Sequence, residues 1–505
     1  MFKLFPGFHL VEEYQKKKKE RRLSDDKTVS KAIKLIIAIG ISLILWLLPS
    51  EAFGIEGLTL IEQRVIAIFV MATLMWILEP IPAWTTSTIA VVLLLFTCSN
   101  SSLWLFSEGV PAEELGTPVK YVSILHCYAD PIIMLFIGGF ILAIAATKTG
   151  LDGMLARVML KPFGTQSRFV LLGFLVVTAV FSMFLSNTAT AAMMLTFLTP
   201  VLKALPADGK GRIALALAIP VAANVGGMGT PIGTPPNAIA LKYLNDPAGM
   251  NLNIGFGEWM LFMIPFTLVV MFIAWVVLLK LFPFKQKTIH LDIKGEAKKD
   301  WRSIVVYITF AITVLLWVTD KFTGVNSNVV AMLPVGVFCA IGVITKRDLE
   351  EISWSVLWMV AGGFALGVAL NETGLATHMI QAIPFDTWPP MLMIIGSGLI
   401  CYAMANFISH TATAALLIPI LAVAGMSMSE NLAPLGGVLT LLIGVAIGSS
   451  LGMVLPISTP PNALAHATGM IEQKDMARIG LIMGVVGLIL GYSMLIVLGS
   501  SGYFG

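Results

Sequence analysis

The chain has 505 residues, of which 57% are hydrophobic and only 12% are charged, with a net charge of +3 and a mean hydropathy of +0.89. Soluble domains typically carry about 25% charged residues, so this supply cannot cover a water-exposed surface. The composition excludes soluble enzymes, nucleic-acid-binding proteins and disordered scaffolds, and it predicts a polytopic protein of the lipid bilayer.

The N-terminus begins with a polar, basic stretch rather than an apolar run. Segment 1–31 contains KKKKERR and predicts a basic cytoplasmic tail, not a secretory signal peptide. The cysteines lie singly, which fits neither a disulfide framework nor a zinc site. We predict free thiols at Cys98, Cys127, Cys339 and Cys401, the alternative being a meeting of Cys98 and Cys127 across a loop.

Uninterrupted apolar stretches of about 20 residues predict spanning helices. They cover 32–49, 61–78, 84–98, 131–147, 256–283, 302–319, 326–343, 353–370 and 477–499.

Four further apolar stretches are interrupted at their middles by small polar residues, Gly or Pro. The stretches 167–203 and 388–426 predict helical hairpins that enter the bilayer and return on one side. The stretches 212–243 and 436–468 predict helices broken at mid-membrane. The segments together predict an all-α fold with about eleven transmembrane helices and two re-entrant hairpins.

The distribution of basic residues gives an orientation. With the N-terminus in the cytoplasm, all 32 Lys and Arg residues except Arg64, Lys120, Lys242 and Lys321 fall on the cytoplasmic side. This bias follows the positive-inside rule. It predicts an external C-terminus and a bacterial-type inner membrane as the location.

Three motifs of the first half recur in the second half, 223 to 225 residues later. The pairs are GGF at 138–140 and 362–364, SNTATAA at 186–192 and SHTATAA at 409–415, and PIGTPPNA at 231–238 and PISTPPNA at 456–463. By the predicted topology, equivalent elements start on opposite faces of the membrane, and such inverted repeats are typical of secondary transporters. We predict a first helix plus first repeat over 32–283, a cytoplasmic linker over 284–301 and a second repeat over 302–499.

The two broken helices carry GGMGTPIGTPPN at 226–237 and SSLGMVLPISTPPN at 449–462. Glycine frees the backbone and proline stops the helix. Carbonyls released in this way can coordinate a cation, and half-helix N-termini can face an anion. A lone proline would only indicate a kink, but two matching breaks favour a binding site.

The hairpin turns carry hydroxyl and amide side chains at mid-membrane. Such residues can simply let helices pack closely, and this is our interpretation of Thr190 and Thr413. Their repetition at two turns favours ligand contact by Ser186, Asn187, Thr188, Ser409 and Thr411.

Charged side chains are missing from these motifs. No Asp or Glu lies in the central part of a predicted span, and no Lys or Arg lies at the four motifs. A neutral, donor-rich pocket suits an anion whose charge is balanced by a bound cation or by a titrating side chain. His410 is the one ionisable candidate, either as a neutral hydrogen-bonded imidazole or as an imidazolium that replaces a coupling cation. Walker A, H-E-x-x-H and G-x-S-x-G motifs are absent, which argues against an enzyme.

At these residues the chain resembles the divalent anion:sodium symporter family, whose members move dicarboxylates, citrate or sulfate. The resemblance starts near residue 32 and rests on the two hairpin motifs and the two Thr-Pro helix breaks. It implies scaffold and transport domains, an elevator-type movement and a homodimer.

The resemblance also implies roles for individual residues. Substrate carboxylates would be held by Asn187 and Thr188, with Ser409 or Thr411 and Thr459-Pro460; Thr234, Pro235 and His410 join the candidate set. A first sodium site would be formed by Ser182, Ser186, Asn187 and Gly233.

The second sodium site departs from the family pattern. His410 stands where the family has Asn, and Ala405 lacks the hydroxyl that Ser182 offers in the first half. We predict a degraded second site, with Ser458 as its remaining candidate ligand, and an imidazolium at His410 that would favour exchange or proton coupling.

The sequence therefore predicts a secondary active transporter of small dicarboxylates, with sodium as the only expected cofactor ion and no organic cofactor. A citrate or sulfate transporter of the same family and an anion channel are the alternatives.

Overall fold

The computed structural model describes residues 25–205, 209–246, 249–289, 298–382 and 387–503. Most of the predicted tail 1–31 and part of the predicted linker 284–301 lie outside these ranges. Within them the chain is helical, and its only β pairing consists of two isolated bridges. The all-α prediction is confirmed.

Among its described residues, the first half contains ten helices of eight or more residues. They are α1 Asp25–Leu47, α2 Leu60–Leu78, α3 Ala83–Thr97, α4 Pro131–Thr149, α5 Leu151–Leu160, α6 Ser167–Phe184, α7 Asn187–Ala204, α8 Gly211–Gly227, α9 Pro235–Leu244 and α10 Phe256–Leu281.

Among the described residues of the second half, nine helices of this length follow in matching order. They are α11 Trp301–Val318, α12 Met332–Ala340, α13 Trp354–Glu372, α14 Leu375–Ala382, α15 Ser397–Ala405, α16 His410–Ser427, α17 Gly437–Ser450, α18 Pro460–Ala467 and α19 Gln473–Ser500.

The helix ends fall at the predicted interruptions. Two residues, Leu185 and Ser186, join α6 to α7, and four residues join α15 to α16. Nonhelical segments 228–234 and 451–459 separate α8 from α9 and α17 from α18. Nine helices of the described chain are long and apolar enough to cross a membrane, and four apolar helices are shorter. The return of each hairpin to its own side and the count of eleven crossings stay predictions.

Local chemistry explains why the helices end there. Ser186 and Ser409 cap α7 and α16, because their hydroxyls accept from Ala189 N at 3.2 Å and from Ala412 N at 3.1 Å. The second half-helices α9 and α18 begin with Pro-Pro, and proline is favoured at a first helical position, where no N–H is needed.

The second half-helix of each repeat packs against the hairpin of the other repeat. Helix α9 of the first break packs on α16 of the second hairpin, and α18 of the second break packs on α7 of the first hairpin. Likewise α3 packs on α13, and α12 packs on α4. The motifs of both halves are thereby brought to one central region.

Glycines on α13 permit its close packing. A side chain at Gly362 would overlap Ser87 of α3, and one at Gly363 would lie 2.8 Å from Ala415 Cβ on α16. A side chain at Gly367 would overlap the hydroxyl of Tyr243 on α9, in a region where both residues line a cavity of about 250 Å³.

Gly367→Ala should therefore destabilise the protein, since overpacking costs about 1–3 kcal/mol. The overlap is with the Tyr243 hydroxyl, while the ring carbon that bears it lies 3.1 Å from the added methyl group. Tyr243→Phe removes only that oxygen, so the double variant should recover most of the loss. Melting temperatures of the two single variants and the double variant in detergent measure this coupling. A double variant no more stable than Gly367→Ala would contradict it.

Three of the cysteines are buried, Cys339 is exposed, and all four are free, as predicted. Ion pairs lie near helix ends rather than at the motifs: Lys148 contacts Asp348 at 2.6 Å, and Lys242 contacts Asp130. Both pairs tie α4 to other elements of the fold.

Candidate functional site

Four polar groups converge where the first hairpin meets the first helix break. Ser182 Oγ lies 2.7 Å from the Ala223 carbonyl oxygen and 2.6 Å from the Asn187 amide. The same amide lies 3.0 Å from the Gly233 carbonyl oxygen and 3.2 Å from that of Ala223. Ser182 is fully buried. The structure thus brings together three of the four predicted ligands of the first sodium site; the fourth, Ser186, caps α7.

The orientation of the Asn187 amide decides what this cluster binds. With its nitrogen facing the cluster, the amide donates to Gly233, Ala223 and Ser182. With its oxygen facing the cluster, the amide adds a fourth oxygen to the Ser182 hydroxyl and the Ala223 and Gly233 carbonyls. Hard monovalent or divalent cations prefer such oxygen ligands. A bound cation and the amide hydrogen bonds would be alternative ways of satisfying the same oxygens.

The first break is held in shape by side chains within it. Thr230 donates its hydroxyl to the Met183 carbonyl and accepts from Gly233 N at 3.1 Å. Asn237 Nδ2 donates to the carbonyls of Gly227, Met228 and Thr230 at 3.2, 3.2 and 2.8 Å. The backbone at Gly233 therefore has a fixed position opposite Asn187.

The second hairpin presents a different set of contacts. The His410 ring nitrogen Nε2 lies 2.8 Å from the Gly452 carbonyl oxygen. A carbonyl only accepts, so Nε2 carries a hydrogen in this arrangement. Ser458, which occupies the position of Gly233, donates to the Asn406 carbonyl at 2.8 Å, and Asn406 Oδ1 accepts from Val454 N at 2.8 Å. These hydrogen bonds engage Ser458 and Asn406 at the second tip, whereas the corresponding positions of the first tip are Gly233 and Met183.

The two tips also differ in exposure. Thr188 is exposed at the first tip, and its counterpart Thr411 is buried at the second. Ser409 is half-buried, and Pro460 at the start of α18 is exposed. The first tip is thus the more open of the two.

The end of helix α8, just before the first break, contacts the start of α18 in the other repeat. Asn224 Nδ2 donates to Thr459 Oγ1 at 3.3 Å and to Asn462 Oδ1 at 3.2 Å, and Asn462 Nδ2 in turn donates to the Met453 and Leu455 carbonyls. All three side chains are at least 96% buried. Thr234, the counterpart of Thr459, makes no capping bond from its side chain.

Sequence analysis missed Asn224 and Asn406 as site residues. Asn224 is the only strongly polar side chain in the apolar run from 213 to 225, which is a usable signal. Asn406 stands in place of Met183 and is visible only once the repeats are aligned. The described residues contain no group of three or more His, Cys, Asp or Glu that could hold a metal.

Comparison with known families identifies the chain. The model of the sodium:sulfate symporter transmembrane region matches residues 29–502. The chain belongs to this family.

Named relatives of this sodium:sulfate symporter family member include a sodium-dependent dicarboxylate transporter of Staphylococcus aureus (strain USA300). It is 30% identical over 505 residues and 92% of each chain is covered. The transporter of the same name from Staphylococcus saprophyticus is 28% identical, with 84% of each chain covered. The family member is a multi-pass membrane transporter and not an enzyme, as the sequence predicted.

The fold has a counterpart among solved structures. The YdaH transporter of Alcanivorax borkumensis superimposes with a TM-score of 0.55 over 88% of this chain and 99% of its own, at 11% identity. At that identity the likeness concerns the fold alone.

Proposed function

We propose that this family member transports small dicarboxylates of the succinate, malate, fumarate and 2-oxoglutarate class by alternating access. The observation that carries the proposal is the cluster of Ser182, Asn187, Ala223 O and Gly233 O beside the exposed Thr188. The named relatives, both described as sodium-dependent dicarboxylate transporters, support the substrate class.

Sodium would occupy the oxygen cluster of the first tip. The cluster offers two neutral side-chain oxygens and two carbonyls without a carboxylate, which suits a monovalent cation whose charge is balanced by an anion bound nearby. Bound sodium would hold Asn187 with its oxygen on the cation, leaving its amide N–H groups to face the substrate.

Substrate carboxylates would bind at the hairpin tips and the adjoining half-helix N-termini. Hydroxyl donors at Thr188, Ser409 and Thr411 and the N-terminal ends of α9 and α18, at Thr234-Pro235 and Thr459-Pro460, supply hydrogen bonds and positive helix-dipole ends. No charged side chain of the protein is needed when a cation is bound alongside.

The second tip would act without an intact sodium site. The Asn406–Ser458 and His410–Gly452 hydrogen bonds occupy the groups that would otherwise ligate a cation. An imidazolium at His410 would supply the missing positive charge and would favour exchange or proton coupling over sodium symport. Movement of a transport domain against a dimeric scaffold, in an inner membrane with a cytoplasmic N-terminus, completes the proposal.

Uptake of labelled succinate into proteoliposomes tests the proposal. One set of vesicles is empty and receives an inward sodium gradient; the other contains unlabelled succinate and no sodium. Uptake only with internal succinate would establish exchange, and uptake with sodium alone would show that sodium coupling survives despite the altered second tip. Failure in both sets, with uptake of citrate or sulfate instead, would overturn the dicarboxylate assignment. Uptake that does not saturate with substrate would favour an anion channel.

A further inference from the structure

We infer that Asn224 is a positioning residue that makes the Thr459 hydroxyl a hydrogen-bond donor toward the transported anion. The inference rests on the proposed function and adds a specificity determinant to it. Asn224 lies in the first repeat, whereas Thr459 opens the second half-helix of the other repeat.

The hydrogen bonds that the Thr459 hydroxyl already accepts determine what it can still bind. A threonine hydroxyl has one hydrogen to donate and two lone pairs to accept with. Thr459 Oγ1 accepts from Asn462 N at 3.2 Å and from Asn224 Nδ2 at 3.3 Å, so both lone pairs are used. Only the hydrogen is left, and an anionic carboxylate accepts hydrogen bonds from donors alone.

Asn462 fixes which end of the Asn224 amide group faces it. Asn462 Nδ2 donates to the Met453 and Leu455 carbonyls, which leaves its Oδ1 to accept from Asn224. The Asn224 nitrogen must therefore face both Asn462 and Thr459. Asn224 and Asn462 are at least 98% buried, so bulk water does not reach their amides as a substitute donor.

The same residue adjoins the proposed sodium site. Asn224 directly follows Ala223, whose carbonyl oxygen belongs to the oxygen cluster of the first tip. A cation drawn to that carbonyl fixes the backbone that carries Asn224, and so links the first tip to the anion donor at the second. The second repeat makes no equivalent contact toward the first repeat through this position. Ser449, the counterpart of Asn224, donates to Val445 O within its own helix.

Asn224→Leu removes the donor at similar size, and Asn224→Ser supplies the side chain of the other repeat. Purified protein in detergent is titrated with succinate at low and at saturating sodium, and its melting temperature is followed with sodium alone. We expect sodium-induced stabilisation to persist in both variants and succinate affinity to fall about tenfold to a hundredfold. The gain in succinate affinity produced by sodium should shrink at the same time, since coupling between two sites is reciprocal.

Ser449→Ala is the matched control and should bind succinate within about twofold of the wild type, as expected for loss of an intrahelical bond at a buried site. A folded Asn224→Leu or Asn224→Ser variant that binds succinate like the wild type would overturn the inference while leaving the proposed function intact. If Asn224→Leu fails to fold, Asn224→Ser decides alone. A wild-type protein that binds none of succinate, citrate and sulfate would overturn the proposed function, and the inference with it.

Discussion

Gly233→Ala is expected to reduce sodium-dependent uptake by about tenfold to a hundredfold. A Cβ at this position would overlap the Gly227 carbonyl, and all three of its nearest atoms belong to the backbone of Gly227. Backbone atoms cannot rotate away as a side chain can, so the two sides of the first break must separate. The Gly233 carbonyl oxygen would then leave its position 3.0 Å from the Asn187 amide.

The measurement is the sodium concentration that gives half-maximal succinate uptake in proteoliposomes. Gly336→Ala on α12 provides a control, because an added Cβ there meets no atom within 4 Å. The control should keep wild-type uptake and stability. A Gly233→Ala protein with unchanged sodium dependence would show that the oxygen cluster is not the cation site.

His410→Asn is expected to remove the pH dependence of exchange. If the imidazolium supplies the positive charge at the second tip, anion binding is strong at low pH and weakens as the ring loses its proton. Wild-type exchange should then fall by up to about tenfold per pH unit above the point of deprotonation. An asparagine carries no proton to lose, so the variant should show a flat profile and a lower maximum rate.

Exchange of labelled for unlabelled succinate, measured over a series of pH values with equal pH on both sides of the vesicle membrane, checks the prediction. His466→Asn is the matched control, since this histidine lies on α18 outside the hairpin tips. A second double variant, Ala405→Ser with His410→Asn, restores the side chains found at Ser182 and Asn187 and should increase the dependence on sodium. An unchanged pH profile in His410→Asn would show that the neutral, hydrogen-bonded ring only shapes the tip.

Much of this architecture is fixed by local chemistry, and it could be predicted from the residues. Long apolar stretches must form helices in lipid, because only helices satisfy the backbone within one segment. The serine caps and the Pro-Pro pairs set where these helices begin, so the N-termini of α7, α9, α16 and α18 fall at the motifs. The difference between Asn187 and His410 was also evident from the repeat.

Contacts between the repeats required the tertiary structure. Asn224 and Thr459 are 235 residues apart, and no periodicity indicates that α8 of one repeat meets α18 of the other. The Asn406–Ser458 hydrogen bond depends on backbone positions in the second hairpin turn and in the second break. Sequence by itself determined the helices, their interruptions and the polar residue types at them, since these follow from capping and burial within a segment. Only the packing of one repeat against the other decided which of those polar groups are hydrogen-bonded to one another. Hydrogen bonds require atomic positions to within a few tenths of an ångström, and a sequence does not give such positions.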